Sequence, residues 1–502
     1  MTTFTKSIGD ETPRIEVDAG KRISKIDPMT YGGFTEHMGR CIYGGIYDPG
    51  NPLSDAQGFR TDVLSALREL DIPVVRYPGG NFCATYHWQD GVGPREQRPS
   101  RPELAWLGVE TNQFGTDEFM AWLDALSEGK AQRVEPYLCL NMGTGTLDEA
   151  LAWLEYCNGT RDTHYANLRR AHGHPEPYRV RYWALGNETW GPWQVEQMTK
   201  EDYAKKAAQW AKALRLLDPD IVLVLCGCDG QNSWDHHVLQ ECVSVVDMHS
   251  IHIYTASATS HVKNVTAPLS AERSIQIAAS LIDLARIERA VPPSKAPTKL
   301  CFDEWNVWDP ERAPGDKGAE EAYTLSDALA VAVWLNVFVR QSRYVGMANI
   351  AQTVNVISPL MTTKGGVLRQ STWWPLLLFS RYMRGWTVGV HVRSPAFAGE
   401  TQPTWLQGAL GENGTPWLDV SACLGDDKYV SLAVVNMSDT EDFETELAGV
   451  GKDVTVFTVA GPNVKSTNTE SKEEVTMAEK KWDGQGLYTF PKHTFTMLRW
   501  QA

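Results

Sequence analysis

Positive charge is in short supply. Among 502 residues, 47 are Lys or Arg against 62 Asp or Glu, a formal net charge of −15 with histidine neutral. A chain this acidic is repelled by phosphate backbones and anionic lipid unless a basic patch is set apart, and no Lys/Arg cluster supplies one. Neither nucleic acid nor membrane is therefore expected as a partner. Long apolar runs are missing too. The most apolar stretch, residues 328–339, lies between Asp327 and Arg340 and still contains Asn336, well short of the ~20 residues that span hydrocarbon. The N-terminus, Met1-Thr-Thr-Phe-Thr-Lys-Ser7, has no apolar signal core. That favours a cytoplasmic location, with unconventional export or a removed leader as alternatives.

Other signatures are absent as well. The nine cysteines are an odd number at irregular spacings, which describes reduced thiols better than a disulfide framework. No Gly-x-Gly-x-x-Gly follows a strand pattern and no Gly-Lys-Ser/Thr loop occurs, so nucleotide chemistry lacks its usual marks. Acyl transfer lacks a Gly-x-Ser-x-Gly elbow. His249-Ser-Ile-His252 with Cys226-Gly-Cys228 invites a zinc reading. Residues three apart on a strand face opposite ways, however, and no second pair has ligand spacing. No metal and no cofactor are expected. What is present is a globular composition, 42% apolar and 22% charged, with 19 Trp and 17 Tyr, whose flat faces either stack on sugars or fill cores.

Eight short apolar runs alternate with amphipathic helices along the chain: 29–35, 72–77, 134–141, 180–186, 221–226, 245–254, 298–304 and 345–352. Val63, Leu64, Leu67 and Leu70 show the helical spacing between them, as do Phe119, Met120, Leu123 and Leu126. Thr199-Lys-Glu-Asp202 has the form of a capping box opening a helix that runs to Leu217. This alternation predicts parallel pairing and an α/β fold, a (β/α)8 TIM barrel over residues 27–385, with a doubly wound open sheet as the runner-up. After about Trp386 the helices are expected to stop. Runs at 417–424, 429–436, 454–459 and 494–500, separated by Gly, Asn and Asp, predict a C-terminal all-β sandwich over residues 386–502. Residues 1–26 are assigned to it through an alternating strand around Ile15 and Val17, while 465–481 reads as an exposed, charged excursion.

Catalytic groups of a barrel lie at the C-terminal ends of its strands, where the βα loops form one concave face. The fourth run leads straight into Asn187-Glu188, and the seventh ends in Asp303-Glu304. Two carboxylates on facing walls can hydrolyse a glycoside, one as acid/base and one as nucleophile. The bland alternative for each is a salt bridge at the barrel mouth.

Gly186-Asn-Glu-Thr and Phe302-Asp-Glu-Trp-Asn-Val-Trp, with Val75-Arg-Tyr-Pro-Gly-Gly-Asn81-Phe and Phe34-Thr-Glu-His-Met-Gly-Arg, resemble the α-L-arabinofuranosidases of glycoside hydrolase family 51. The resemblance runs from about Ile23 into the C-terminal sandwich and is nearest to the shorter fungal C-type enzymes. It implies a retaining, exo-acting enzyme that frees terminal arabinofuranose from arabinoxylan, arabinan or their oligosaccharides, with Glu188 as acid/base and Glu304 as nucleophile. Arg76 would keep Glu304 ionised, and the Asn187 amide suits the sugar 2-hydroxyl.

Carried over as sugar-binding positions are Glu36, Asn81, Tyr254, Gln352, Trp106 and Trp308. Their alternatives are an ion pair of Glu36 with Arg40, a turn amide at Asn81, core packing of Tyr254, and plain wall for the two tryptophans. His252 is expected to support the site by hydrogen bonding. The rival functions are a β-xylosidase, an endo-β-glucanase or a non-catalytic sugar-binding barrel, and a homo-oligomer stays open. Loops around Asn112, 257–264 and 310–317 are expected to shape linkage preference.

Overall fold

The structure, a computed structural model, describes residues 2–256, 259–309 and 319–502. Eight parallel strands close a barrel: Gly32–Phe34, Val74–Tyr77, Glu135–Cys139, Tyr182–Leu185, Val222–Leu225, Met248–Thr255, Lys299–Val307 and Val345–Ala351. Each pairs with the next, and the last returns to the first through Asn349 with Gly32 and Ala351 with Phe34. Tyr182–Leu185 is buried at every position, as strands covered on both faces are; such strands read as continuous apolar runs, not alternating ones.

The first expected run is the one most altered. Pro28–Tyr31 forms a 3₁₀ turn, with the Asp27 carboxylate accepting the Met29 N–H at 3.0 Å, so the strand begins only at Gly32. Proline fits that turn because its fixed φ suits a helical start and its missing N–H would have had no partner there. The helix Lys200–Leu217 opens as expected, the Thr199 hydroxyl accepting the Asp202 N–H at 3.2 Å.

Beside the barrel, nine strands form one continuous curled sheet, with Thr2–Lys6 adding a tenth in parallel to Trp386–Ser394. Arg14–Lys25 lies antiparallel to Trp386–Ser394, so the chain's beginning is a central part of this sheet. The sheet folds over its own core, which includes Ile15, Val390, Leu432, Phe490 and Trp500.

Two expectations need correction here. Helix does not end at Trp386, because Trp405–Leu410 forms a short helix inside a loop. The charged stretch 465–481 is not simply an excursion. Thr476–Trp482 pairs with Val454–Ala460 as the sheet's edge strand, and Lys480 and Lys481 there are the kind of charges that keep an open edge from pairing further. Before that strand, the fully buried Val475 anchors the stretch, its N–H donating to Asn468 at 2.8 Å.

The most apolar stretch of the chain is the helix Leu325–Arg340, buried at every position. It is covered by the barrel on one side and by the C-terminal sheet on the other. Asn336, polar in the middle of it, donates to Asp419 at 2.8 Å and accepts from Ser421 at 2.6 Å. Arg340 at its end is held between Glu272 at 2.7 Å and Asp419 at 2.8 Å. Among the described residues no helix is long and apolar enough to cross a membrane.

Candidate active site

Long connections leave the C-terminal ends of the first two barrel strands, and the site is built there. Phe34 closes the first strand and delivers Glu36 two residues later, 3% exposed. Val74–Tyr77 delivers Arg76, and the turn Pro78-Gly79-Gly80 brings the chain back against Glu36. A Cβ on Gly80 would lie 2.6 Å from both Glu36 carboxylate oxygens, so only glycine lets the backbone pass. Glu36 accepts from the Phe82 N–H at 3.1 Å, Trp106 Nε1 at 3.2 Å and Gln352 Nε2 at 3.1 Å. The alternative partner, Arg40, is turned away and pairs with Glu320 at 2.7 Å.

The fourth strand ends in Gly186, and Glu188 follows with a left-handed φ of 42°, which costs an L-residue roughly 1–2 kcal/mol. That backbone turns its carboxylate into the cavity. Oε1 lies 3.0 Å from His252 Nδ1 and Oε2 accepts from Trp193 Nε1 at 3.2 Å. Across the barrel, Glu304 Oε1 accepts from Arg76 Nη1 at 2.5 Å and Oε2 from the Tyr254 hydroxyl at 2.7 Å. Carboxylate oxygens of the two glutamates lie within 4.8 Å of each other. Arg76 also donates to Asn187 Oδ1 at 2.6 Å, and Asn187 Nδ2 donates to Asn81 Oδ1 at 3.3 Å.

All ten expected positions therefore converge. Nine of them are tied by hydrogen bonds into one connected network or an adjoining one, and Trp308 joins through its ring, 5.3 Å from that of Tyr254 and edge-on. Together with Met38, Trp190 and Ile357, most of them line a cavity of about 570 Å³. Arg76 and Asn187 bond to two of its lining residues, Glu304 and Asn81. Asn112 is 2% exposed and donates to the Pro99 carbonyl at 2.7 Å. Residues 257–258 and 310–317, of the loops expected to shape preference, lie outside the described residues.

The electrostatics are governed by Asp303. It is 1% exposed and accepts from the Tyr137 hydroxyl at 2.7 Å and Ser250 at 2.5 Å, with His252 Nε2 at 3.2 Å and Arg76 Nε at 3.6 Å. Burial pushes its carboxyl up, but Arg76, His252 and these donors outweigh that and hold it well below the usual carboxylate range. His252 shows the mirror case. Burial disfavours its charged ring, yet the negative charges of Glu304 and Asp303 prevail and raise it well above the ordinary imidazole value. Glu36 is pushed up to about 8, by burial first and then by the charge of Glu304, against its N–H donors.

Sequence reasoning missed Asp303, Tyr137, Ser250 and Trp193. Adjacent residues on a regular strand face opposite sides, which hides Asp303 behind Glu304. The seventh strand's pairing slips between Phe302 and Trp305, and both side chains reach Arg76. Trp193 had a faint signal, five residues past Glu188 in an aromatic-rich loop. The His249 grouping dissolves: His249 Nε2 pairs with Asp235 at 2.8 Å while His252 enters the site. Glu188, His252 and Glu304 are close enough to share a divalent ion, but the Arg76 guanidinium on Glu304 already supplies positive charge there.

Comparison with known proteins points the same way. The family described as "Alpha-L-arabinofuranosidase 1 domain" matches residues 66–267, and "Alpha-L-arabinofuranosidase C-terminal domain" matches residues 303–494. A protein of Aspergillus flavus named probable alpha-L-arabinofuranosidase C is 66% identical, with all of both chains covered. An arabinose complex of an alpha-L-arabinofuranosidase from Thermotoga maritima superposes with a TM-score of 0.89 at 38% identity, covering 98% of this chain and 100% of that one. A GH51 alpha-L-arabinofuranosidase from Thermotoga petrophila does so at 0.88 and 38%, with the same coverage. The chain belongs to the α-L-arabinofuranosidases of glycoside hydrolase family 51.

Proposed function

We propose that Glu304 is the nucleophile and Glu188 the acid/base of this α-L-arabinofuranosidase. The observation that carries the reading is the spacing of the two carboxylates, with oxygens within 4.8 Å. Retaining enzymes keep their carboxyl groups about 5–5.5 Å apart, whereas an inverting pair stands roughly 6.5–9.5 Å apart to admit a water. In the first step Glu304 attacks the anomeric carbon while Glu188 gives its proton to the glycosidic oxygen, and the aglycone leaves. In the second, Glu188 takes a proton from water, which displaces Glu304 and restores both groups.

The surrounding groups fit these roles. Arg76 and the Tyr254 hydroxyl each hold one oxygen of Glu304, which favours the ionised form an attacking group needs. His252 and Trp193 fix Glu188. Glu36, Asn81, Asn187 and Gln352 carry polar groups toward the sugar hydroxyls, and Trp106 and Trp308 wall the ring. The pocket suits one terminal arabinofuranose, with arabinoxylan, arabinan and their oligosaccharides as the substrate classes. Proton NMR of an aryl α-L-arabinofuranoside reaction tests substrate and stereochemistry together. α-Arabinofuranose as the first product supports the assignment, and the β-anomer appearing first overturns it.

A further inference from the structure

Trp106 reaches Glu36 from a hairpin that is too small to hold itself. Its strands, Arg101–Pro102 and Val109–Glu110, make only the pairs Arg101 with Glu110 and Pro102 with Val109. An isolated two-stranded ribbon is at best marginally stable in water. The tip faces solvent, with Leu107 87% exposed and Leu104 54%. The Glu103 carboxylate organises that tip locally, accepting the N–H groups of Ala105 at 2.6 Å and Trp106 at 2.7 Å, but it does not tie the tip to the barrel.

The ties are at the hairpin's root: the exposed Arg101 pairs with Asp90 at 2.9 Å, and the buried Glu110 meets the segment that follows the first barrel strand. Glu110 is 6% exposed. Its Oε1 accepts the Tyr43 hydroxyl at 2.5 Å and the Asn112 N–H at 2.6 Å, and its Oε2 lies 2.8 Å from His37 Nδ1. The other ring nitrogen of His37 is 3.1 Å from the Tyr77 hydroxyl, and the ring stacks on Phe82 with centroids 4.5 Å apart. Burial pushes the Glu110 carboxyl up, but its contacts with His37, the Tyr43 hydroxyl and the Asn112 N–H outweigh that and hold it below the usual glutamate value. His37 directly follows Glu36 in the chain. One buried imidazole–carboxylate contact thus joins the root of the Trp106 hairpin to the segment that carries Trp106's own partner.

We propose that the buried His37–Glu110 contact is a positioning device that holds Trp106 against Glu36 and so keeps the sugar pocket in its binding shape. Neither His37 nor Glu110 is among the described residues lining the cavity, so both act through Trp106 and Glu36. The inference rests on the arabinofuranosidase reading of the pocket for its kinetic consequence, though not for its geometry.

The test uses the whole enzyme and Glu110→Gln, which removes the charge and keeps the shape. We expect kcat/KM on an aryl α-L-arabinofuranoside to fall about tenfold, mainly through KM, a loss of transition-state stabilisation at the scale of one such contact. In a Trp106→Ala background the same change should cost less than about twofold, because coupled positions are non-additive. Enzyme labelled with 5-fluorotryptophan, its Trp106 resonance assigned through Trp106→Phe, should show that resonance shifted or broadened in Glu110→Gln without any substrate. That signal stands even if the catalytic assignment of the glutamates fails. Additive losses in the double variant, or an unmoved Trp106 resonance, overturn the proposal. His37→Phe keeps a ring against Phe82 and removes the nitrogen that faces Glu110. It should shift the same Trp106 resonance should Glu110→Gln not fold, and an unmoved resonance there overturns the proposal as well.

Discussion

A carboxylate oxygen of Glu188 lies within 4.8 Å of one of Glu304, and His252 Nδ1 sits 3.0 Å from the first and 3.6 Å from the second. If Glu188 moves the proton, its removal should hurt in proportion to how badly the leaving group needs that proton. Glu188→Ala is expected to lose far more activity on an arabino-oligosaccharide than on a dinitrophenyl arabinofuranoside. With the activated substrate, breakdown of the glycosyl-enzyme should become the slow step. Pre-steady-state release of dinitrophenol measures this as a burst. Equal losses on both substrates would make Glu188 a structural carboxylate.

Glu304→Ala should abolish turnover of every substrate, since no group remains to form the glycosyl-enzyme. Azide, small enough for the vacated face, should restore part of the activity on an activated aryl substrate. It should give a β-arabinofuranosyl azide, because a single displacement inverts the centre. Product NMR identifies the anomer. Turnover near wild type without azide would remove Glu304 from its role.

Glu36 carries a pH signature. Its folded-state value of about 8 lies above the ordinary glutamate value because burial and the charge of Glu304 disfavour ionisation. A raised carboxyl means the native state binds the proton more tightly than the unfolded chain. Stability is then lost as pH rises from about 4.3, where the unfolded glutamate ionises, toward the folded value. Glu36→Gln cannot ionise, so its melting temperature relative to wild type should climb between pH 5 and pH 8. An unchanged difference across that range would mean Glu36 does not titrate there. In activity, Glu36→Gln should be slower, by about 10²–10³-fold if the sugar contacts act in the transition state.

Arg340 bears on stability alone. It is buried between Glu272 and Asp419, one partner from the barrel and the other from the C-terminal sheet. Arg340→Ala leaves both carboxylates uncompensated and should destabilise the protein by about 3–5 kcal/mol. Chemical denaturation followed by tryptophan fluorescence measures it. A loss below about 1 kcal/mol, the range of exposed ion pairs, would show that water enters the gap.

What the sequence by itself determined is whatever is written within one element or one motif. The β/α alternation and the capped helix starting at Thr199 are patterns of a few residues, as is Asn187-Glu188 at a strand end, because side-chain periodicity is set by the local backbone. Tertiary structure decided whatever depends on elements far apart in the chain. Asp303 became the charge centre only because pairing slips along the seventh strand. The helix Leu325–Arg340 is apolar all round because a second domain covers the side the barrel leaves open, and Asn336 is tolerated because Asp419 and Ser421 meet it there. Trp106 bonds to Glu36 across 70 positions of sequence, and Glu110 meets His37 across the same fold. No local pattern encodes such a meeting. Its distance and direction are fixed only when the eighth strand pairs with the first and the barrel closes.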